Sequence, residues 1–160
     1  MKRSISLSSI FILCSLSLLC FALSRFIPQT KENIYLPKMI RASEKMMEAI
    51  QAIRECQREK GVLIDEKTDI NRTGLIGSEF SPITTSLGNL EAKRTTTNPN
   101  FAGLIVYLLK KAGVRAQDTI AVGASSSFPA LIMASLSAAA AMDVHPLLIC
   151  SLGASQWGAN

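Results

Sequence analysis

Three consecutive serines, Ser125, Ser126 and Ser127, stand in the string Gly123-Ala124-Ser125-Ser126-Ser127-Phe128-Pro129, between a β-forming run and an apolar helical one. The turn at the carboxyl end of a parallel strand is where open α/β sheets bind their ligands. Unpaired N–H groups at the start of the following helix, with three hydroxyls beside them, suit an anion such as phosphate or carboxylate. The plainer alternative is that Ser127 caps the helix while the other two serines solvate a turn. Covalent chemistry fits less well. A GxSxG elbow needs Gly at 127 after Gly123 and Ser125, and position 127 is Ser.

A second group, Lys93-Arg94-Thr95-Thr96-Thr97-Asn98, places two cations and several hydroxyls just ahead of a helix start. If the two turns lie side by side, Lys93, Arg94 and Thr95 converge with Ser125, Ser126 and Ser127 on one anionic group; otherwise the stretch is a solvated connector. A third group is Thr73-Gly74-Leu75-Ile76-Gly77-Ser78-Glu79. Its glycines mark unusual φ or close backbone approach. Glu79 is either a base or cation ligand, or a surface carboxylate on a structural turn. His145 is the one histidine of the chain, so a His-based zinc site or a Ser–His–Asp triad lacks parts, and no metal site is expected. Neither GxxxxGK[ST] nor GxGxxG occurs, and no cofactor is expected.

The elements that must position these groups follow from periodicity. From Lys38 to Lys60, Met39, Met46, Ile50 and Ile53 place one apolar stripe on a charged helix that Gly61 stops. Residues 61–98, rich in Thr, Gly, Ser and Asn, predict a long irregular segment, with a short strand at 82–86 and a turn at 86–89. Asn98-Pro99 predicts a helix start, Asn as cap and Pro first in the helix. Phe101, Leu104, Ile105, Leu108 and Leu109 form its apolar face and Gly113 its end. Residues 118–122 read as a strand, 129–142 as an Ala-rich helix and 147–152 as a second apolar strand. That succession is a βαβ unit, which implies a parallel sheet. The expected fold is therefore α/β, a parallel, Rossmann-like, doubly wound domain behind an N-terminal transmembrane helix.

The transmembrane expectation comes from residues 1–27. Lys2 and Arg3 precede an uncharged stretch from Ser4 to Ser24, which as a helix would reach roughly 31 Å, about one bilayer core. Its densest part, residues 10–23, also matches the apolar region of a secretory signal, with small residues near Ser24. A cleaved signal and a retained anchor both fit. Leu18 and Leu19 are too bulky for lipid attachment at Cys20. With Lys2 and Arg3 on the cytoplasmic side, the rest of the chain would lie outside. Residues 28–37, bounded by Pro28 and Pro37, suit a linker, and 38–160 form the extracytoplasmic domain. Cys14 and Cys20 fall in the apolar segment, leaving Cys56 and Cys150, too few for a disulfide framework. The formal charge of +5 favours anionic partners mildly. Cations are scattered among acidic residues and aromatics make up only 6% of the chain, so nucleic acid is not an expected partner.

Taken in order, the run TGLIGSEFSPITTSLGNLEAKRTTTNPNFAGLIVYLLKKAGV, the turn AVGASSSFPAL and the tail SLGASQWGAN resemble the membrane-anchored poly-γ-glutamate system protein family. These proteins accompany the bacterial machinery that makes and exports that polymer. The resemblance covers about residues 38–160 and implies a place in capsule or polymer biosynthesis, but no assigned catalytic residues. Members run on past the GASQWGAN-like string, which implies that this domain is incomplete at its C-terminus. Two functions are open. One is a membrane-anchored accessory component of poly-γ-glutamate synthesis and export, binding the polyanion through Lys93, Arg94 and the two helix starts. The other is an extracytoplasmic amide-bond hydrolase or transferase acting on the polymer, with Ser125 or Ser127 as nucleophile and Glu79 as helper. Its partners would be the membrane and either the synthesis and export proteins or the polymer itself.

Overall fold

Uncharged residues without Gly or Pro run from Ser4 to Ser24, and nothing in that stretch interrupts an intrahelical hydrogen-bond ladder. In a computed structural model, which describes residues 6–26 and 33–159, this stretch gives α1, Leu7–Phe26. Its apolar side chains are exposed: Phe11, Ile12, Leu18 and Phe21 each keep more than 60% of their surface. Residues 7–24 are long and apolar enough to cross a membrane, and none of that window is buried. The helix belongs to one compact unit, residues 1–33, and all else to a second, 34–160. Half of the expected linker, residues 28–32, lies outside the described residues, as do Lys2 and Arg3.

The second unit begins with α2, Leu36–Glu59, which takes Pro37 into its first turn; the expected linker thus ends sooner than position 37. Pro is favoured there because its missing N–H would have no intrahelical partner anyway. Ala42, Met46 and Ile50 are buried at spacings of four, with Met39 and Ile53 packed beside them, as the stripe requires. Gly61 then turns the chain with φ +69°.

Residues 61–89 carry one short strand, β1, Thr84–Ser86. The irregular backbone is held by side chains. Buried Asp69 accepts from Gly74 N at 2.6 Å and from Thr73 Oγ1 at 3.2 Å, and Gln57 Nε2 donates to Gly74 O at 3.0 Å. Beyond it lies a helix where the sequence predicts irregular chain: α3, Leu90–Thr96, capped by Asn89 Oδ1 on Ala92 N at 2.9 Å.

Helix α4, Asn100–Lys111, starts where Asn98 Oδ1 accepts from Asn100 N at 3.0 Å. Its buried face is the expected one only in part: Phe101, Ile105 and Leu109 pack against the core. Ala102, Gly103 and Val106 face the core, whereas Leu104 and Leu108 are about half exposed. Small residues win because α2 and α4 cross closely. A Cβ on Gly103 would stand 3.0 Å from Met39 O. Past Gly113 (φ +88°) come β2, Thr119–Ser125, then α5, Pro129–Met142, and β3, His145–Ser151. The strands β2 and β3 pair in parallel from Thr119↔His145 to Ser125↔Ser151, which makes β2–α5–β3 the expected βαβ unit. Both strands differ in extent from the sequence expectation, β2 running on to Ser125 and β3 starting at His145. A two-residue strand, β4, Ala154–Ser155, returns to pair in parallel with β1.

Among the described residues the architecture is mixed α/β: an apolar N-terminal helix, four further helices and short parallel strands in two two-stranded sheets. The core lies among α2, α4 and α5, where Met46, Val106, Met142 and the alanines of α5 are buried. Alanine at positions 130, 134, 138, 139 and 141 lets the α5 backbone approach its neighbours without leaving voids. By contrast, every residue of β3 is exposed, Leu147 and Ile149 by 64% and 81%.

Candidate functional site

The serine turn is shaped by the end of β2. Ser125 is its last residue, exposed and paired with Ser151, so it belongs to the strand rather than the turn. Its carbonyl accepts from Phe128 N at 3.4 Å, which brings the chain round into α5. Ser126 Oγ donates to Ser151 O across the strands, and Ser126 O accepts from Ala159 N at 2.8 Å. Ser127 Oγ accepts from Ser155 N at 2.9 Å. It does not cap α5, whose N-cap is Phe128 with no side-chain hydrogen bond.

Into this turn comes Lys93 from α3. Its side chain is buried, with 1% of the residue exposed. Nζ donates to Ser127 O and, at 2.9 Å, to Ser155 Oγ. It lies 4.8 Å from the centre of the Phe128 ring, close enough for a cation–π contact. No ion pair involving Lys93 occurs among the described residues. Burial without a compensating charge lowers its pKa from the ordinary lysine value. Gly88 makes the enclosure possible: a Cβ there would fall 2.5 Å from Gln156 O and 3.2 Å from Lys93 Cε. Gln156 closes the other side, its Oε1 accepting from Gly88 N at 3.0 Å.

The expected convergence of two cations on the serines is only half realised. Lys93 joins Ser127, but Arg94, one residue on, points elsewhere on the helix. Its Nε and Nη2 donate to Thr68 O and Lys67 O, both at 2.7 Å, and its Nη1 pairs with Glu91. Arg94 therefore ties the 67–68 loop to α3. Thr95 Oγ1 turns back to Glu91 O at 2.8 Å. Glu79 is exposed, 3.5 Å from Gln156 Nε2, and borders a cavity of about 700 Å³ that Leu63, Met133 and Trp157 also line. The Thr73–Glu79 group is thus partly a wall of that cavity and partly the loop pinned by Asp69.

Comparison with known proteins gives no match: no protein-family model, no curated protein and no solved structure is similar to this chain. The capability of the site rests on its own groups: a desolvated amine against a serine hydroxyl, with a second serine alongside. Of these, Ser155 escapes a reading of the sequence, because it stands 62 residues from Lys93 in a tail with no periodic pattern. The signal available is its surroundings, Gly153-Ala154-Ser155-Gln156-Trp157-Gly158. Small residues and paired glycines there mark a backbone in close contact. A Cβ on Gly158 would lie 2.7 Å from Ser126 O.

Proposed function

We propose that this protein is a membrane-anchored, single-pass accessory component of a bacterial poly-γ-glutamate synthesis and export system, with its α/β domain outside the cytoplasm. The observation that carries the reading is α1, whose residues 7–24 form an exposed apolar helix joined to a unit with a separate core. The resemblance of its strings to the poly-γ-glutamate system family supports the choice of polymer. Leaving Leu, Ile and Phe side chains of α1 in water would cost about 25 cal/mol for each Å² of apolar surface, and a bilayer removes that cost. On this reading the β2–α5–β3 unit belongs to a doubly wound, Rossmann-like sheet, and the partners are the polymer-making proteins. Lys93 and Arg94 are engaged by carbonyls and hydroxyls of the chain itself. Extraction of membranes at high pH provides the test. The full chain stays in the pellet and a chain lacking residues 1–27 does not; recovery of the full chain in the soluble fraction would remove the reading.

A further inference from the structure

We infer that Ser155 and Lys93 form a serine–lysine acyl-transfer pair, with Ser155 Oγ as nucleophile and Lys93 Nζ as its base, acting on the carbonyl of an amide or ester. The geometry meets the first requirement: the 2.9 Å between Nζ and Oγ lies within direct proton-transfer reach. A second requirement is an amine that gives up its proton more readily than an ordinary lysine. Lys93 is buried, faces the Phe128 ring and has no ion-pair partner among the described residues, the desolvated setting in which lysines serve as bases. In its neutral form Nζ keeps two N–H bonds and one lone pair. One N–H stays on Ser127 O, which orients the amine, and the lone pair faces the Ser155 hydroxyl. Ser127 then completes the set. Its Oγ accepts the Ser155 N–H and retains its own proton to offer the oxygen or leaving group of the substrate.

The steps balance. Ser155 Oγ attacks the carbonyl carbon while its proton passes to Lys93 Nζ, giving a tetrahedral adduct and an ammonium. Collapse breaks the carbon–nitrogen bond, or carbon–oxygen in an ester, and the Lys93 proton goes to the leaving amine or alcohol. The acyl ester on Ser155 is then attacked by water or by a second amine, whose proton passes to Lys93 as the Ser155 oxygen departs and then returns to it. Ser155 is 7% exposed, and the 86–88 segment begins at its strand partner, Ser86. Two hydrogen bonds hold that segment, Gly88 N to Gln156 Oε1 and Gln156 N to Ser86 O, each 3.0 Å. A carbonyl reaches Ser155 when they part.

The same cluster as a purely structural pin would show no reactivity, so the experiment reads reactivity. Full-length protein in detergent micelles is treated with a fluorophosphonate, an agent specific for activated serines, and the adduct is located by peptide mass. One adduct is expected, on Ser155. Ser155→Ala, which removes a single oxygen and whose fold is checked by circular dichroism, carries none. Lys93→Met labels about 10²- to 10⁴-fold more slowly, the usual worth of a general base. Ser127→Ala labels more slowly but at the same residue. An unlabelled wild-type protein overturns the proposal, as does an adduct that persists in Ser155→Ala.

Discussion

A lysine whose ammonium is out of water and unpaired is an energetic cost that the rest of the fold sustains. At Lys93 two hydrogen bonds and an aromatic face offset that cost in part. A pH dependence follows, and its sign is fixed by the lowered pKa. The unfolded chain keeps its Lys93 proton up to the ordinary lysine value, whereas the folded protein releases it at lower pH. Between those two points the unfolded state binds more protons, so stability rises with pH across that window. Denaturant midpoints measured from neutral pH to about pH 10 should climb for the wild-type protein relative to Lys93→Met, which has no proton to release. Parallel curves would mean that Lys93 titrates as an exposed lysine. The sequence offers the meeting of Lys93 with the serine turn only as one of two alternatives, the other being a solvated connector. The divergence of Arg94 is not legible there at all. Neighbours on a helix point about 100° apart, so both cannot face one turn, and the composition of residues 90–96 conceals that they are helical.

At the scale of elements, hydrophobic periodicity and turn chemistry locate α2, α4, α5 and the parallel pair β2–β3 within a few residues. They fail where packing decides. The largest side chains of α4 suggest its buried face, but the crossing with α2 is set by its smallest, and Leu104 and Leu108 turn outward as a result. The α3 helix is masked by its threonines: Thr96 and Thr97 bond back to the carbonyls of Lys93 and Arg94 at 2.7 Å, so hydroxyls that suggest a connector in fact close the last turn. Gly103 tests the crossing. The Cβ of a valine there would stand 3.0 Å from Met39 O and 3.2 Å from Ser43 Oγ, and its methyl groups would push closer still. Such overpacking costs typically about 1–3 kcal/mol. Chemical denaturation of Gly103→Val should show a loss of that size, whereas an unchanged midpoint would mean that α2 and α4 are farther apart.

Over the whole molecule, two apolar surfaces stand out, the α1 helix and the bare β3 strand, with Leu147 and Ile149 exposed and Leu152 just beyond its end. The first is plain from residues 4–24, because a bilayer selects on length and composition alone. The second is a consequence of topology, which sets the helices α2, α4 and α5 against one another and leaves β3 uncovered; no local pattern announces it. An exposed apolar strand edge is a liability in a free monomer, and a component of a larger assembly is a setting in which it would be covered. The central claim, a membrane-held role in making or exporting poly-γ-glutamate, is tested most directly by polymer output. In cells that produce the polymer, the gene is deleted and replaced either by the full chain or by one lacking residues 1–27, and surface poly-γ-glutamate is measured. The account predicts that deletion lowers the polymer and that only the anchored chain restores it; polymer unchanged by deletion, or restored equally by both chains, would contradict it.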